Sequence, residues 1–108
     1  MERIRLSERV AFQTGKMARH RLAATGRVQM DLYCLQPGQS QAAHVHGDQD
    51  KVYVGVEGRA RIHVGTEIDW LEPGVLVVAP AGIEHGLENA TEAPCIALVL
   101  VVPPPPHA

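Results

Sequence analysis

Three of the six histidines have a spacing that could hold a metal ion. One residue separates His44 from His46 in a run of strand length, and side chains along a strand alternate between its faces, so both imidazoles point to one side. Their Cβ atoms would lie about 7 Å apart, which lets both rings reach the same ion. His85 follows a Pro-Ala-Gly turn at positions 80–82. Two imidazoles on one strand face and a distant third are typical of a mononuclear transition-metal site.

Short strands must position these histidines. Glycine and proline turn signals recur at short intervals and separate runs of strand length. The runs cover residues 28–36, 42–46, 52–57, 60–64, 68–71, 75–79 and 94–102. No helical periodicity extends over ten residues beyond position 27. The pattern predicts an all-β sandwich or barrel.

Size and composition limit the chain to one domain and exclude several classes of protein. It has 108 residues, 45% of them hydrophobic, which is enough to form one core. Its net charge of −2 lacks the basic excess of a nucleic-acid-binding protein. The longest apolar run, residues 96–102, is far shorter than the ~20 residues that cross a bilayer. The first residues do not resemble a secretory signal. We therefore expect a cytoplasmic protein that binds neither nucleic acid nor membrane, with Cys34 and Cys95 as reduced core thiols.

The glycine and proline turn signals also predict how the chain is divided. Residues 1–26 are predicted to form an N-terminal arm or edge strand, residues 27–102 a barrel, and residues 103–108 a proline-rich tail that ends the last strand. The runs at 75–79 and 96–102 are apolar without alternation, so both of their faces must be covered. A second sheet, the N-terminal segment or a partner subunit could cover the outer face, and we expect a homodimer.

Two segments resemble the paired motifs of the cupin superfamily. The first reads Gly38-x5-His44-x-His46 and continues to Gly58; the second reads Gly74-x5-Pro80-x-Gly82-x2-His85-x3-Asn89 and matches the family pattern at every fixed position. The chain looks similar to small single-domain bacterial cupins. The resemblance implies a jelly-roll barrel, also called a double-stranded β-helix. It also implies one divalent transition-metal ion per chain (iron, manganese, nickel or zinc), held by His44, His46 and His85. Gly38, Gly58, Gly74 and Gly82 are expected in tight turns with positive φ.

The sequence departs from the family at one metal ligand. Counting back from Gly58, the family's glutamate position is occupied by Lys51, whose ammonium has no lone pair for a cation. Three alternatives stay open. Gln49 could provide a fourth ligand through its amide oxygen, the three histidines could leave an open site, or Asp50 could turn inward through a bulge. We favour Gln49.

Lys51 and Tyr53 share a strand parity and are the candidate pocket residues. Lys51 either extends to solvent as a strand-end lysine or provides a fixed positive charge at the barrel mouth for an anionic small molecule. Tyr53 lines the pocket or is an aromatic core residue. Within the resemblance, the first hypothesis is a metal-dependent enzyme with dioxygenase-type chemistry on a small anionic organic substrate, in which Lys51 holds or polarises the substrate. The alternatives are a cupin that binds or senses a metal and a small ligand without turnover, and a metal-free binder or isomerase with histidine acid–base groups.

Overall fold

The computed structural model describes residues 1–44 and 47–105, with the backbone alone at residue 44. A 3-10 helix spans Leu6–Glu8 and precedes nine strands. The strands are β1 Ala18–Ala24, β2 Gln29–Leu35, β3 Ser40–His44, β4 Asp50–Glu57, β5 Ala60–Val64, β6 Glu67–Leu71, β7 Leu76–Ala79, β8 His85–Glu88 and β9 Cys95–Val102. Within the described ranges, no helix is long and apolar enough to cross a membrane.

The strands form two sheets that enclose one core. The five-stranded sheet has the order β1-β2-β9-β4-β7 and the four-stranded sheet the order β3-β8-β5-β6, with every neighbouring pair of strands antiparallel. Inward-facing residues of both sheets form one apolar cluster, which includes Leu35, Ile62, Leu71, Leu87 and Val99. The predicted all-β barrel of the jelly-roll type is confirmed.

Each of the seven predicted runs overlaps a strand, and the structure adds β1 and β8. Strand β1 lies within the predicted N-terminal segment and forms an edge of the five-stranded sheet. Strand β8 shows no alternation, because three of its four residues are buried. A β-carbon at its Gly86 would come within 2.6 Å of the His63 ring, so this strand is covered on both faces. Four residues without alternation carry no strand signal in the sequence.

The alternation of β4 determines which side chains enter the barrel. Lys51, Tyr53 and Gly55 are buried, whereas the valines between them are half-buried on the outer face. Lys51 is paired with Ala79 on β7 and with Val101 on β9. The predicted shared parity of Lys51 and Tyr53 is confirmed, and both side chains face the core.

The N-terminal segment covers part of the outer face of the five-stranded sheet. An outer cluster that includes Leu22, Leu32 and Ile96 packs against four partly buried side chains from the segment before β1. These side chains are Ile4, Leu6, Val10 and Phe12. The sequence left three possible covers for this outer face: a second sheet, the N-terminal segment or a partner subunit. The structure shows that the N-terminal segment covers one part of it.

Both cysteines are buried free thiols, as expected for small core residues. Cys34 belongs to the outer cluster and Cys95 to the inner cluster. Burial raises the pKa of Cys95 to about 11, and the nearby Cys34 contributes to that rise. Thiols with a raised pKa are poor nucleophiles at neutral pH, which makes them packing residues rather than reactive groups.

The positive φ expected at Gly38, Gly58, Gly74 and Gly82 is confirmed. Gly58 has a second constraint, because a β-carbon there would overlap the carbonyl oxygen of Pro94. At Gly38 a β-carbon would meet no atom within 4 Å. The turn after β4 therefore needs glycine for both conformation and space.

Gly58→Ala should accordingly destabilise the protein more than Gly38→Ala does. Both variants incur the left-handed backbone penalty of about 1–2 kcal/mol, and Gly58→Ala should add about 1 kcal/mol or more because backbone atoms must move. Urea denaturation followed by circular dichroism measures both free energies of unfolding. Equal losses would show that contact with Pro94 does not constrain this turn.

Candidate ligand and metal site

Lys51 extends its ammonium into the barrel rather than to solvent. The residue is 3% exposed, and its Nζ donates a hydrogen bond to the Tyr33 hydroxyl at 3.0 Å. The same nitrogen lies 5.6 Å from the centre of the Tyr33 ring, within cation–π range. Of the two interpretations of Lys51, the structure agrees with a fixed positive charge inside the barrel.

A hydrogen-bonded chain of side chains from three strands holds this ammonium. The Tyr33 hydroxyl also accepts a hydrogen bond from Nε2 of Gln41 at 3.1 Å. Oε1 of Gln41 in turn accepts a hydrogen bond from the Tyr53 hydroxyl at 2.7 Å. The two tyrosine rings meet edge to face, with centres 6.3 Å apart. The Tyr53 hydroxyl therefore holds Gln41, and Gln41 holds the hydroxyl that contacts Lys51. Tyr53 belongs to the buried core, and its pocket role stays a prediction.

Tyr33 and Gln41 are not among the residues predicted from the sequence. Tyr33 lies on β2 and Gln41 on β3, and neither occupies a fixed position of the two motifs. Their role arises because the sheets bring their side chains to the end of the Lys51 side chain. An aromatic and an amide at unrelated positions give no signal of this contact before the sheet order is known.

Lys51 has no carboxylate partner in the part of the chain that the structure describes. Hydrogen bonding by a neutral phenol compensates a buried ammonium only partly, since an isolated charge in an apolar interior costs several kcal/mol. Its two neighbours across the sheet, Ala79 and Val101, are apolar and cannot supply a countercharge.

His85 is held in an orientation that suits a metal ligand. It begins β8, is buried, and its Nδ1 lies 2.9 Å from the carbonyl oxygen of Ile83. Because a carbonyl only accepts, Nδ1 must carry the proton, and the ring lone pair is then on Nε2. A metal-binding histidine typically has its other nitrogen fixed in this way. The Tyr53 ring packs against the His85 ring, with centres 6.2 Å apart.

The turn before His85 is tied to β4. The Ala81 N–H donates to Oδ1 of Asp50 at 2.8 Å, and the Ile83 N–H donates to the Pro80 carbonyl at 3.3 Å. Asp50 is exposed and lies on the opposite parity from Lys51. Its carboxylate therefore anchors the turn from outside the barrel rather than turning inward.

The other predicted metal ligands are not placed together by the structure. His46 lies outside the described residues, and His44 is described by its backbone alone, which pairs directly with His85 across β3 and β8. Among the side chains that are described, no three His, Cys, Asp or Glu residues could hold a metal. The three-histidine site therefore stays a prediction.

Gln49 is buried next to the end of β9. Its Nε2 donates to the Pro103 carbonyl at 3.1 Å, which orients the amide. Its role as the fourth metal ligand also stays a prediction.

Comparison with known proteins gives consistent matches over most of the chain. The family described as Cupin domain matches residues 31–101. TT1209 from Thermus thermophilus has a crystal structure with a TM-score of 0.94 at 40% identity, covering 97% of this chain and 100% of that one. A Klebsiella pneumoniae protein with a double-stranded β-helix domain has a TM-score of 0.87 at 26% identity, covering 95% and 90%. The uncharacterized protein SCO3923 of Streptomyces coelicolor is 39% identical over 77 residues, 71% of this chain and 70% of that protein.

The titration of Tyr53 tests the closed environment of the site. Burial raises the pKa of Tyr53 far above its ordinary value, and the adjacent Tyr33 raises it further. Because the folded-state pKa is the higher one, Tyr53 stabilises the fold below about pH 10, and this contribution falls as the pH rises further. Tyr33→Phe leaves Tyr53 as the only tyrosine.

In Tyr33→Phe, tyrosinate absorbance should not rise near pH 10 while the far-ultraviolet circular dichroism remains native. The same variant unfolded in urea is the control, and its tyrosine should titrate with the ordinary pKa of about 10. A folded variant with a midpoint near pH 10 would show that Tyr53 is open to water.

Proposed function

This chain belongs to the cupin superfamily, and we propose that it is a metal-binding cupin whose barrel binds a small anionic organic molecule through Lys51. The observation that carries the proposal is the Lys51 ammonium, 3% exposed, which donates to the Tyr33 hydroxyl and forms no ion pair with a carboxylate among the described residues. A carboxylate or enolate of a ligand would complete its hydrogen bonding and neutralise its charge. This supports an anionic ligand over a neutral one.

The residues that would hold the metal are His44, His46 and His85, with Gln49 as the proposed fourth ligand. The orientation of His85 fits this role, because donation from Nδ1 to Ile83 leaves the lone pair on Nε2. The backbone pairing of His44 with His85 also supports it. A bound divalent ion would supply Lewis acidity and, if it is iron or manganese, the redox chemistry of a dioxygenase.

The polar chain behind Lys51 would orient the ligand rather than react with it. Tyr33 restricts the position of the Lys51 ammonium, and Gln41 restricts the Tyr33 hydroxyl. A charge fixed in a water-poor interior interacts with an anion more strongly than an exposed lysine does. The same side chains would therefore hold the anionic end of the ligand next to the His85 ring.

A second candidate function is binding or sensing without turnover. The observation that favours it is Lys51 itself, which occupies the position where the family motif has a carboxylate ligand and so removes one donor from the metal. Oxygen uptake by iron- or manganese-loaded protein supplied with small carboxylic acids separates the two. Uptake favours the dioxygenase-type enzyme, whereas stable binding of metal and ligand without uptake favours the sensor.

Lys51→Glu tests two proposed properties of residue 51, its effect on metal affinity and its effect on anion binding. The substitution adds a carboxylate ligand and removes a cation, so Zn²⁺ affinity should rise by about tenfold or more. Binding of butyrate, used as a small anionic probe, should weaken by about 10- to 100-fold because a charge-assisted hydrogen bond is lost. Calorimetric titration measures the metal, and ligand-observed nuclear magnetic resonance measures butyrate.

Lys16→Glu is the matched control, because Lys16 is exposed and the change in net charge is the same. Equal effects from the two variants would mean that butyrate senses overall charge and not Lys51. An unaltered Zn²⁺ affinity in Lys51→Glu would mean that residue 51 does not face the metal.

The homodimer is a separate part of the proposal. Beyond the reach of the N-terminal segment, aliphatic side chains continue across the outer face of β4, β7 and β9, and Leu76 is 58% exposed. Val52 is paired with Val78 and with Leu100, so these side chains form a continuous patch. A second copy related by a twofold axis would cover this patch with its own.

Sedimentation tests the homodimer and should give a mass of twice 11.7 kDa for the native chain. Val78→Asp places a charge in the patch and should shift the mass toward that of the monomer. A monomeric native chain would contradict the homodimer.

A further inference from the structure

A second pair of polar residues enters the barrel from β2. Gln29 and Asp31 are two positions apart and therefore on the same strand face. They are paired with Val101 and Val99 of β9, which both belong to the inner cluster. Gln29 is 9% exposed and Asp31 is 2% exposed.

This pair lies in the same part of the interior as Lys51. Val101 is paired with Gln29 on one side and with Lys51 on the other, so the three residues form one row across the sheet. The Cα atoms of Gln29 and Lys51 are therefore two strand spacings apart, about 10 Å. Both residues face the barrel interior, because Gln29 shares the parity of Tyr33 and Lys51 that of Tyr53.

The hydrogen bonds of Gln29 leave its carbonyl oxygen without a partner. Its Nε2 donates to both carboxylate oxygens of Asp31, at 3.1 Å each. This orients the amide, because the reversed amide would bring two acceptors face to face. Oε1 must then point away from Asp31, and it is buried with no hydrogen-bond partner among the residues that the structure describes. A buried unsatisfied acceptor costs about 1–3 kcal/mol, so its presence calls for an explanation.

Asp31 likewise lacks a cationic partner in the described part of the chain. Arg21 is paired with Asp31 across β1 and β2, but its side chain is exposed and makes no ion pair with this carboxylate. A carboxylate can accept about four hydrogen bonds, and Gln29 supplies the two that the structure shows. Gln29 and Asp31 together thus present a buried amide oxygen and a carboxylate with free acceptor positions.

We propose that Gln29 and Asp31 bind a hydrogen-bond donor of the ligand, a hydroxyl or an ammonium group, at the end opposite to the anion held by Lys51. The inference rests on the proposed function, in which Lys51 binds the carboxylate. It narrows the ligand class to small hydroxy- or amino-carboxylic acids. The Lys51 cation at one end of the row and the acceptors of Gln29 and Asp31 at the other would select a molecule that carries both a carboxylate and a hydrogen-bond donor.

Three acids that differ in one group test this inference. Butyrate, 3-hydroxypropionate and β-alanine share a carboxylate and a two-carbon spacer and end in a methyl, a hydroxyl and an ammonium group. The native protein should bind the hydroxyl and ammonium compounds about tenfold or more tightly than butyrate, because each adds a hydrogen bond to a charged acceptor. Ligand-observed nuclear magnetic resonance titrations give the three dissociation constants.

Asp31→Asn replaces the carboxylate by a group of the same shape. The ratio of the butyrate dissociation constant to that of each donor compound should then fall to about one. Gln29→Met removes the unpartnered oxygen at similar volume and should reduce the same ratio; it replaces Asp31→Asn if that variant does not fold. Lys16→Glu is the control that should leave the ratio as it is. Circular dichroism verifies the fold of each variant.

The outcomes separate this inference from the proposed function. Lys51-dependent binding with equal affinities for the three acids, or a donor advantage that persists in the variants, would overturn the inference alone. If none of the acids binds, or if Lys51→Glu affects none of them, the anionic ligand site at Lys51 is itself wrong.

Discussion

The site depends on the buried Lys51 ammonium, which forms no ion pair with any carboxylate among the residues that the structure describes. Lys51 is inside the barrel, and the group that the structure gives it is the hydroxyl of Tyr33. Charge inside an apolar core is costly unless it is paired, and a buried group that is only partly satisfied is more often functional than stabilising. The chain through Gln41 to Tyr53 shows that this environment is ordered: each member donates to or accepts from the next, and they come from β2, β3 and β4.

The two faces of the five-stranded sheet differ in a way that makes this arrangement possible. The N-terminal segment packs on the outer face, so that the inner face of β2, β4 and β9 can carry polar residues at one end without exposing the core. The turn at residues 80–82, tied to Asp50, brings His85 to the same end of the barrel. The histidine, the cation and the acceptor pair thereby belong to one interior, together with Tyr33, Tyr53 and aliphatic core residues.

Local features of this design could be predicted from the sequence, and contacts between distant strands could not. Alternation along β4 was sufficient to place Lys51 and Tyr53 on one face, and turn spacing identified the glycines with positive φ. Tyr33 and Gln41 were missed because their importance depends on sheet order, which no local pattern contains. Gln29 and Asp31 were missed for the same reason: a polar pair at the start of a strand resembles an exposed edge until β9 is known to separate it from Lys51. Strand β8 was missed because both of its faces are covered and alternation disappears.

The most direct test of the account is a crystal structure of the protein with butyrate bound. A ligand carboxylate at Lys51 requires an oxygen within about 3.2 Å of Nζ, inside the barrel and on the side of the His85 ring. That position is the predicted result. A carboxylate bound elsewhere, with the Lys51 ammonium still satisfied by Tyr33 and water alone, would contradict the account.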